Sequence, residues 1–164
     1  VSNGTYGNLI LSRWAVGSTH RISLKRGIRK SRGAQLIQVE TPEGALHLVN
    51  THLGLDERER HWQIDFLLDH ELFQSSSVMP TFIAGDFNDW RNTLAEQSLA
   101  KHGFQQVTSP PSEYRSFPSW LPVGGLDKVF VRGEVTTERV KVVRTSLARV
   151  ASDHLPIVVD FSLK

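Results

Sequence analysis

Apolar residues recur along this chain at two different spacings, and each change of spacing marks an expected change of local structure. Over 34–40 and 45–53, "AQLIQVE" and "ALHLVNTHL" alternate apolar with polar residues, the period of half-buried strands. Between them "TPEG" (41–44) offers Pro42 and Gly44 for a type I turn, so the two segments read as a hairpin. Over 56–73, "DERERHWQIDFLLDHELF" carries Ile64, Leu67, Leu68 and Leu72 at helical spacing with charges between them, which predicts an amphipathic helix with its stripe in the core. Further strands are expected over 8–16 ("NLILSRWAV"), 81–87 ("TFIAGDF"), 126–131 ("LDKVFV"), 139–145 ("RVKVVRT") and 155–163 ("LPIVVDFSL"). Asn92 is placed to cap a second helix running to His102, with Gly103 as its stop. The basic stretch 25–33 and the Pro- and Ser-rich stretch 108–125 read as loops, and a loop as long as the second is often functional. Strands outnumber the two helices, so the class is mixed α/β.

Composition bounds this picture without identifying it. The 164 residues, 39% hydrophobic and 22% charged, suit a single domain over 1–164 with a sizeable core. A net charge of +2 and a pI near 9.2 permit an anionic partner without demanding one. The absence of cysteine excludes a disulfide framework, Cys-ligated zinc and a thiol nucleophile. No apolar run approaches the roughly 20 residues of a membrane-spanning helix, and Val1 opens no visible signal peptide, so a cytoplasmic location is expected.

Chemistry gathers where strands are expected to end. Asn50, Thr51 and His52 follow "LHLV", Asp86 and Asn88 follow "TFIA", and Asp153 and His154 precede "LPIVV". Strand alternation would send Asp86 and Asn88 from one face, a carboxylate beside a carboxamide, able to hold a water and a phosphate oxygen. Asp127 lies among Leu126, Val129, Phe130 and Val131, where a carboxylate is costly unless paired, and a histidine is the obvious partner. Asp, Asn and His without Cys suit Mg²⁺ or Mn²⁺ better than zinc, and metal-assisted phosphoester hydrolysis is the natural chemistry. Singly, each residue has a plainer reading: His52 or Asp153 as a cap, Asp127 paired with Lys128 or an arginine. "HELFQ" (70–74) has Gln74 where a zinc-protease helix needs its second His. Lys25, Arg26, Arg29, Lys30 and Arg32 form a basic cluster that reads first as a solvated loop, and Trp90, Arg115, Phe117 and Trp120 as a candidate substrate wall.

"NTHL" (50–53), "AGDFNDW" (84–90), "LDKVFV" (126–131) and "SDHLP" (152–156), in that order, resemble the endonuclease/exonuclease/phosphatase superfamily, the fold of pancreatic-type deoxyribonuclease, abasic-site endonuclease, inositol polyphosphate 5-phosphatases and bacterial sphingomyelinases. "YGNLILSRWAV" (6–16) extends the likeness over nearly the whole chain, and "GDFNDW" with "RSFPSWLP" is similar to a bacterial branch of small hydrolases. The resemblance implies a four-layer sandwich of two mixed β-sheets flanked by helices. It implies that Asp86 positions or deprotonates the attacking water, Asn88 steadies it, His52 donates to a phosphate oxygen, and Trp90 and Arg115 line the substrate. Asp153, with Asp86, would bind Mg²⁺ or Mn²⁺, and His154, oriented by Asp127, would stabilise the pentacovalent transition state. One imidazole nitrogen of His154 should then bond Asp127 while the other faces Asp86 and Asn88.

Relatives of this kind carry an early strand ending in Asn and a later Glu that anchors the metal, both before the "GN-LSR" segment. The chain opens after that point, so it is expected to be the C-terminal two-thirds of such an enzyme, incomplete at the N-terminus, prone to self-association and a poor Mg²⁺ binder alone. The expected function is a metal-dependent phosphodiesterase or phosphatase. Nucleic acid is one candidate substrate, but the mild charge leans toward a small or lipid-type phosphoester. The competing reading is a non-catalytic module that binds an anionic partner through residues 25–32.

Overall fold

A computed structural model describes residues 7–164. Six strands form one mixed sheet: β1 (Val16–Ser23), β2 (Gly33–Thr41), β3 (Gly44–His52), β4 (Thr81–Asp86), β5 (Gln105–Gln106) and β6 (Asp127–Arg132), in the order β1-β2-β3-β4-β6-β5. Only β3 and β4 pair in parallel, and this pair needs the crossover that α1 (Glu57–Asp69) and α2 (Glu71–Gln74) supply. A second, two-stranded antiparallel sheet joins β7 (Val135–Val142) to β8 (Ile157–Leu163), with the short helix α3 (Ser146–Ala151) between them. This is the mixed α/β class that the strand and helix patterns predict, with the two-sheet plan that the family resemblance implies.

Alternation along the strands divides the core in two. On one face Leu36, Val49, Ile83 and Phe130 pack against Ile64, Leu67 and Leu68 of α1 and against Phe73. On the other face Leu46, Phe82, Val129 and Val131 meet Val159, Phe161 and Leu163 of β8, with the Phe82 and Phe161 rings 4.5 Å apart. The sheet is therefore covered on both faces, and the run "TFI" in β4 is wholly buried.

Four element boundaries differ from expectation. The strand expected over 8–16 begins instead at Val16, because Leu9 and Leu11 are exposed and the strand after them is set by pairing with β2 rather than by its own apolar pattern. The helix expected over 56–73 breaks at His70, whose extended backbone ends α1 and whose Nδ1 accepts from Leu72 N to cap α2. The segment expected to start at an Asn92 cap is a π-helical turn (Ala95–Leu99) followed by a 3₁₀ turn, and Asp89 Oδ2 takes the Leu94 N–H instead. Asn92 has φ 58° and its side chain is engaged elsewhere, while Gly103 (φ 77°) does close the segment. The strand expected over 139–145 starts earlier, at Val135, and Thr145 caps α3 through Oγ1. Among the described residues no helix is long and apolar enough to cross a membrane.

Candidate active site

Sheet register gathers the site. His52 ends β3 opposite Asp86, which ends β4, and Asp86 in turn lies opposite Asp127, the first residue of β6. Residues in register on adjacent strands point to the same side, so these three side chains form one row across one end of the sheet's inner strands. His154 reaches the row from the turn between α3 and β8. Its Nδ1 lies 2.7 Å from Asp127 Oδ2 and its Nε2 3.9 Å from Asp86 Oδ2, while His52 Nε2 lies 3.3 Å from the same Asp86 oxygen. One carboxylate oxygen thus sits between two imidazoles.

Their electrostatics differ in sign. Asp86 is pushed above the ordinary carboxylate range, first by burial and then by the neighbouring Asp127 charge, with the Asn88 N–H and the histidines opposing. His154 is raised above the usual histidine value, chiefly by its hydrogen bond to Asp127. His52 is lowered, chiefly by burial, with Asp86 opposing and Arg32 assisting. The row therefore holds a basic carboxylate, an imidazolium-leaning His154 and a neutral-leaning His52.

Two local devices hold this geometry. After β4 the backbone turns sharply: Asn88 N donates to Asp86 Oδ1 (2.9 Å), and Asn88, at φ 51°, donates from Nδ2 to the Leu53 carbonyl (3.0 Å). Asn88 lies beyond the strand, so the alternation that predicted a shared face with Asp86 does not apply; its amide ties the β4 turn to the β3 turn. Gly85, at φ 145°, passes so close to β3 that a Cβ would intrude on the Thr51 carbonyl. The second device is the loop before β6. Ser116, fully buried, donates from Oγ to Asp127 Oδ2, its carbonyl accepts from Leu155 N (2.9 Å), and Ser119 N donates to the Asp153 carbonyl (2.7 Å). These bonds clamp the loop along 153–155 and hold His154 over Asp127. Phe117 packs 4.8 Å from the His154 ring, and Trp90 meets Phe117 edge-on at 6.2 Å.

Of the residues singled out in the sequence, His52, Asp86, Asn88, Asp127 and His154 converge, with Trp90 at their margin. Arg115 lies on the exposed side of the loop, its carbonyl accepting from Arg144 Nη2 (3.2 Å). Asp153 is exposed, and its Oδ1 accepts from Ser152 Oγ at 3.4 Å. Lys128 is not the partner of Asp127: it points into the core, donating to Asn92 Oδ1 (2.8 Å) and the Gly125 carbonyl (2.9 Å), and burial pulls it down to about 8. Sequence reasoning missed Ser116 and Gly85. The Ser before "FP" in an aperiodic loop carries no signal without the loop's path, whereas a Gly inside an apolar strand is itself a sign of close backbone approach. The basic loop is partly absorbed by structure. Arg29 pairs with Glu59 (3.0 Å) and Asp56 (3.7 Å), and Arg26 donates to the Arg58 carbonyl and lies over Trp62.

Carboxylate oxygens are the donors a hard divalent cation prefers, and the exposed Asp153 carboxylate beside the row has oxygens to offer. Among the described residues no three His, Asp or Glu side chains converge as a closed metal cage. The set fits a cation held by one or two carboxylates and substrate oxygens rather than one enclosed by protein.

The chain is similar to known proteins in sequence and in fold. The uncharacterized protein YbhP of Escherichia coli strain K12 is 28% identical over 167 residues, covering 98% of this chain and 64% of YbhP, so the chain spans just under two-thirds of that relative's length. A mannosyl-6-phosphatase of Bacteroides thetaiotaomicron superposes with a TM-score of 0.73 at 15% identity, over 92% of this chain and 67% of its own. TDP2 of D. rerio, solved with a single-strand DNA product, does so with a TM-score of 0.67 at 19% identity, over 90% and 67%. At such identities the two structures speak to the fold. Residues 1–154 match the family model itself, and the chain belongs to the Endonuclease/Exonuclease/phosphatase family.

Proposed function

We propose that the protein is a divalent-metal-dependent phosphoester hydrolase in which Asp86 is the base toward the attacking water and His154 the cationic donor to the phosphoryl oxygens. The observation that carries this reading is the placement of Asp86 Oδ2 between two imidazoles of opposite protonation bias. A carboxylate raised by burial accepts a proton more readily than a solvated one, so Asp86 is suited to take the proton of a water attacking phosphorus. His154, kept protonated by Asp127, offers positive charge and an Nε2–H where negative charge develops on the equatorial oxygens. His52 in its neutral form donates a single N–H to another of those oxygens, and Asn88 steadies Asp86 through the turn. Ser116 fixes the Asp127 carboxylate, as an outer partner commonly fixes the orientation of a catalytic histidine. Trp90 and Phe117, packed beside His154, would line the substrate there, with the exposed Arg115 toward its outer part.

Asp153, assisted by Asp86, would hold Mg²⁺ or Mn²⁺. The bound cation supplies charge neutralisation at the phosphoryl group and a more acidic water. The chain spans 64% of YbhP, which leaves room for a longer parent protein. The family resemblance implies that residues 1–164 are its C-terminal part and that a further metal-anchoring Glu lies upstream. The anion-binding alternative is weakened by Arg26 and Arg29, which the fold ties to α1.

The test is an assay of the chain, and of a form carrying any sequence encoded upstream of Val1, against nucleic-acid, phospholipid and sugar- or inositol-phosphate substrates. Each is run with Mg²⁺ and with EDTA. Turnover that needs the metal and disappears in Asp86→Ala is expected. Metal-independent turnover, or none in any class from the longer form, overturns the reading.

A further inference from the structure

Helix α3 is built inside out. It hides Ala148 and turns its two large apolar residues, Leu147 (74% exposed) and Val150 (81%), to solvent three positions apart on one face. The loop that clamps His154 does the same with Trp120 (70%), Leu121 and Val123. Hydrogen bonds join the two: Ser119 Oγ donates to the Arg149 carbonyl (3.0 Å) and Arg149 Nη1 to the Trp120 carbonyl (3.3 Å). An apolar cluster of this kind is uncommon on a soluble surface and marks an interaction site.

Charge says what it meets. Arg115, Arg144 and Arg149 adjoin the cluster, and among the described residues none forms an ion pair; Arg144 and Arg149 are each held by a single backbone carbonyl. Their remaining N–H groups are free to meet phosphate, for which guanidinium geometry is suited. Glu113 and Asp153 are the acids on the same segments, and under the hydrolase reading Asp153 faces the cation. Exposed Trp, Leu and Val flanked by arginines are the composition of a surface that rests in a bilayer's headgroup region, apolar tips inward and cations at the phosphates.

We propose that α3 and the loop 117–123 form a docking face for an anionic phospholipid surface, so that the phosphoester presented to His154 is carried by a lipid. Position supports this. Ser119, one residue before Trp120, is bonded to the Asp153 carbonyl, and Phe117 lies against His154, so the face and the catalytic row share one rim. The substrate part of this inference rests on the hydrolase reading; the docking part does not.

The experiment is vesicle co-sedimentation of the chain with phosphatidylcholine alone and with phosphatidylcholine containing phosphatidylglycerol, at low and high salt, with hydrolysis of soluble bis(4-nitrophenyl) phosphate measured in the same samples. Binding to the anionic vesicles is expected, weakened by salt, and weakened about tenfold or more by Leu147→Ser with Val150→Ser, two exposed changes that leave soluble turnover unaltered. Vesicle binding without soluble turnover by the chain leaves the docking face standing, and the same absence of turnover in the form extended upstream of Val1 removes the hydrolase reading. Soluble turnover without vesicle binding overturns the docking face. So does a dimer in sedimentation velocity that the double variant disperses while vesicles stay unbound, since a second copy of the chain would then be the occupant.

Discussion

Asp86 and His154 are both held above their ordinary values, Asp86 chiefly by burial and His154 chiefly by its hydrogen bond to Asp127. Under the proposed hydrolase reading, the pH dependence of turnover follows from which form of each is needed. Asp86 must be ionised, and its value is raised above 3.8, so activity should appear as pH climbs through a limb higher than a solvated carboxylate would give. His154 must be protonated, and its value is raised above 6.5, so activity should fall only as pH climbs past the ordinary histidine range. Replacing Asp127 by Asn removes the main cause of the second shift. Turnover in Asp127→Asn should drop on the order of a hundredfold and the alkaline limb move down toward 6.5, both read from a pH profile of kcat/KM. An alkaline limb that stays in place would separate Asp127 from this role. That Asp127 needs a partner was legible in the sequence because a carboxylate among Leu126, Val129 and Phe130 is costly alone, whereas His154 as that partner was implied by the family resemblance. Ser116 was neither, because its bond to Asp127 exists only once the loop has folded back along 153–155.

Strands β3 and β4 illustrate the same divide between pattern and contact. The hairpin β2–β3 and the buried run of β4 are written in alternation and apolarity, but their parallel neighbours are not, and the close passage of Gly85 beside Thr51 follows from that pairing alone. Gly85→Ala should therefore force the two strands apart where His52 faces Asp86, costing at least about 3 kcal/mol in denaturant unfolding and nearly all turnover. Strand β1 was illegible for a different reason: "VGSTHRIS" offers Val16 and Ile22 as its only large apolar residues, and its ladder with β2 decides the structure. His47, in the middle of β3, adds an acid sensitivity. Burial, with help from Arg132 and His20, pulls it from 6.5 to about 4, so the folded state prefers it neutral. Its contribution is complete above 6.5 and is lost as pH falls toward 4, on the order of 3 kcal/mol in all. His47→Gln should flatten the fall in unfolding free energy over that window.

The two sheets differ in what they bring to the site. The larger supplies His52, Asp86 and Asp127 as a rigid row, while His154 and Asp153 arrive on the segment that leads into β8 of the smaller. A chain that holds Asp153 but not the upstream Glu implied by the family resemblance should bind Mg²⁺ weakly by calorimetry, and a form extended upstream should bind it markedly better. Equal, tight binding by both would place the missing ligand within residues 1–164.

The contact between Phe82 and Phe161 joins the sheets, and the bond between Asp127 and His154 crosses the same divide. The smaller sheet, with two strands, has fewer contacts of its own to resist heat than the larger. Loosening the smaller sheet would withdraw His154 while the larger sheet, with its own core, still stands, so the protein should fall silent before it melts. Thermal inactivation would precede the circular-dichroism transition, and Phe161→Ala would widen the gap by lowering the first temperature more than the second.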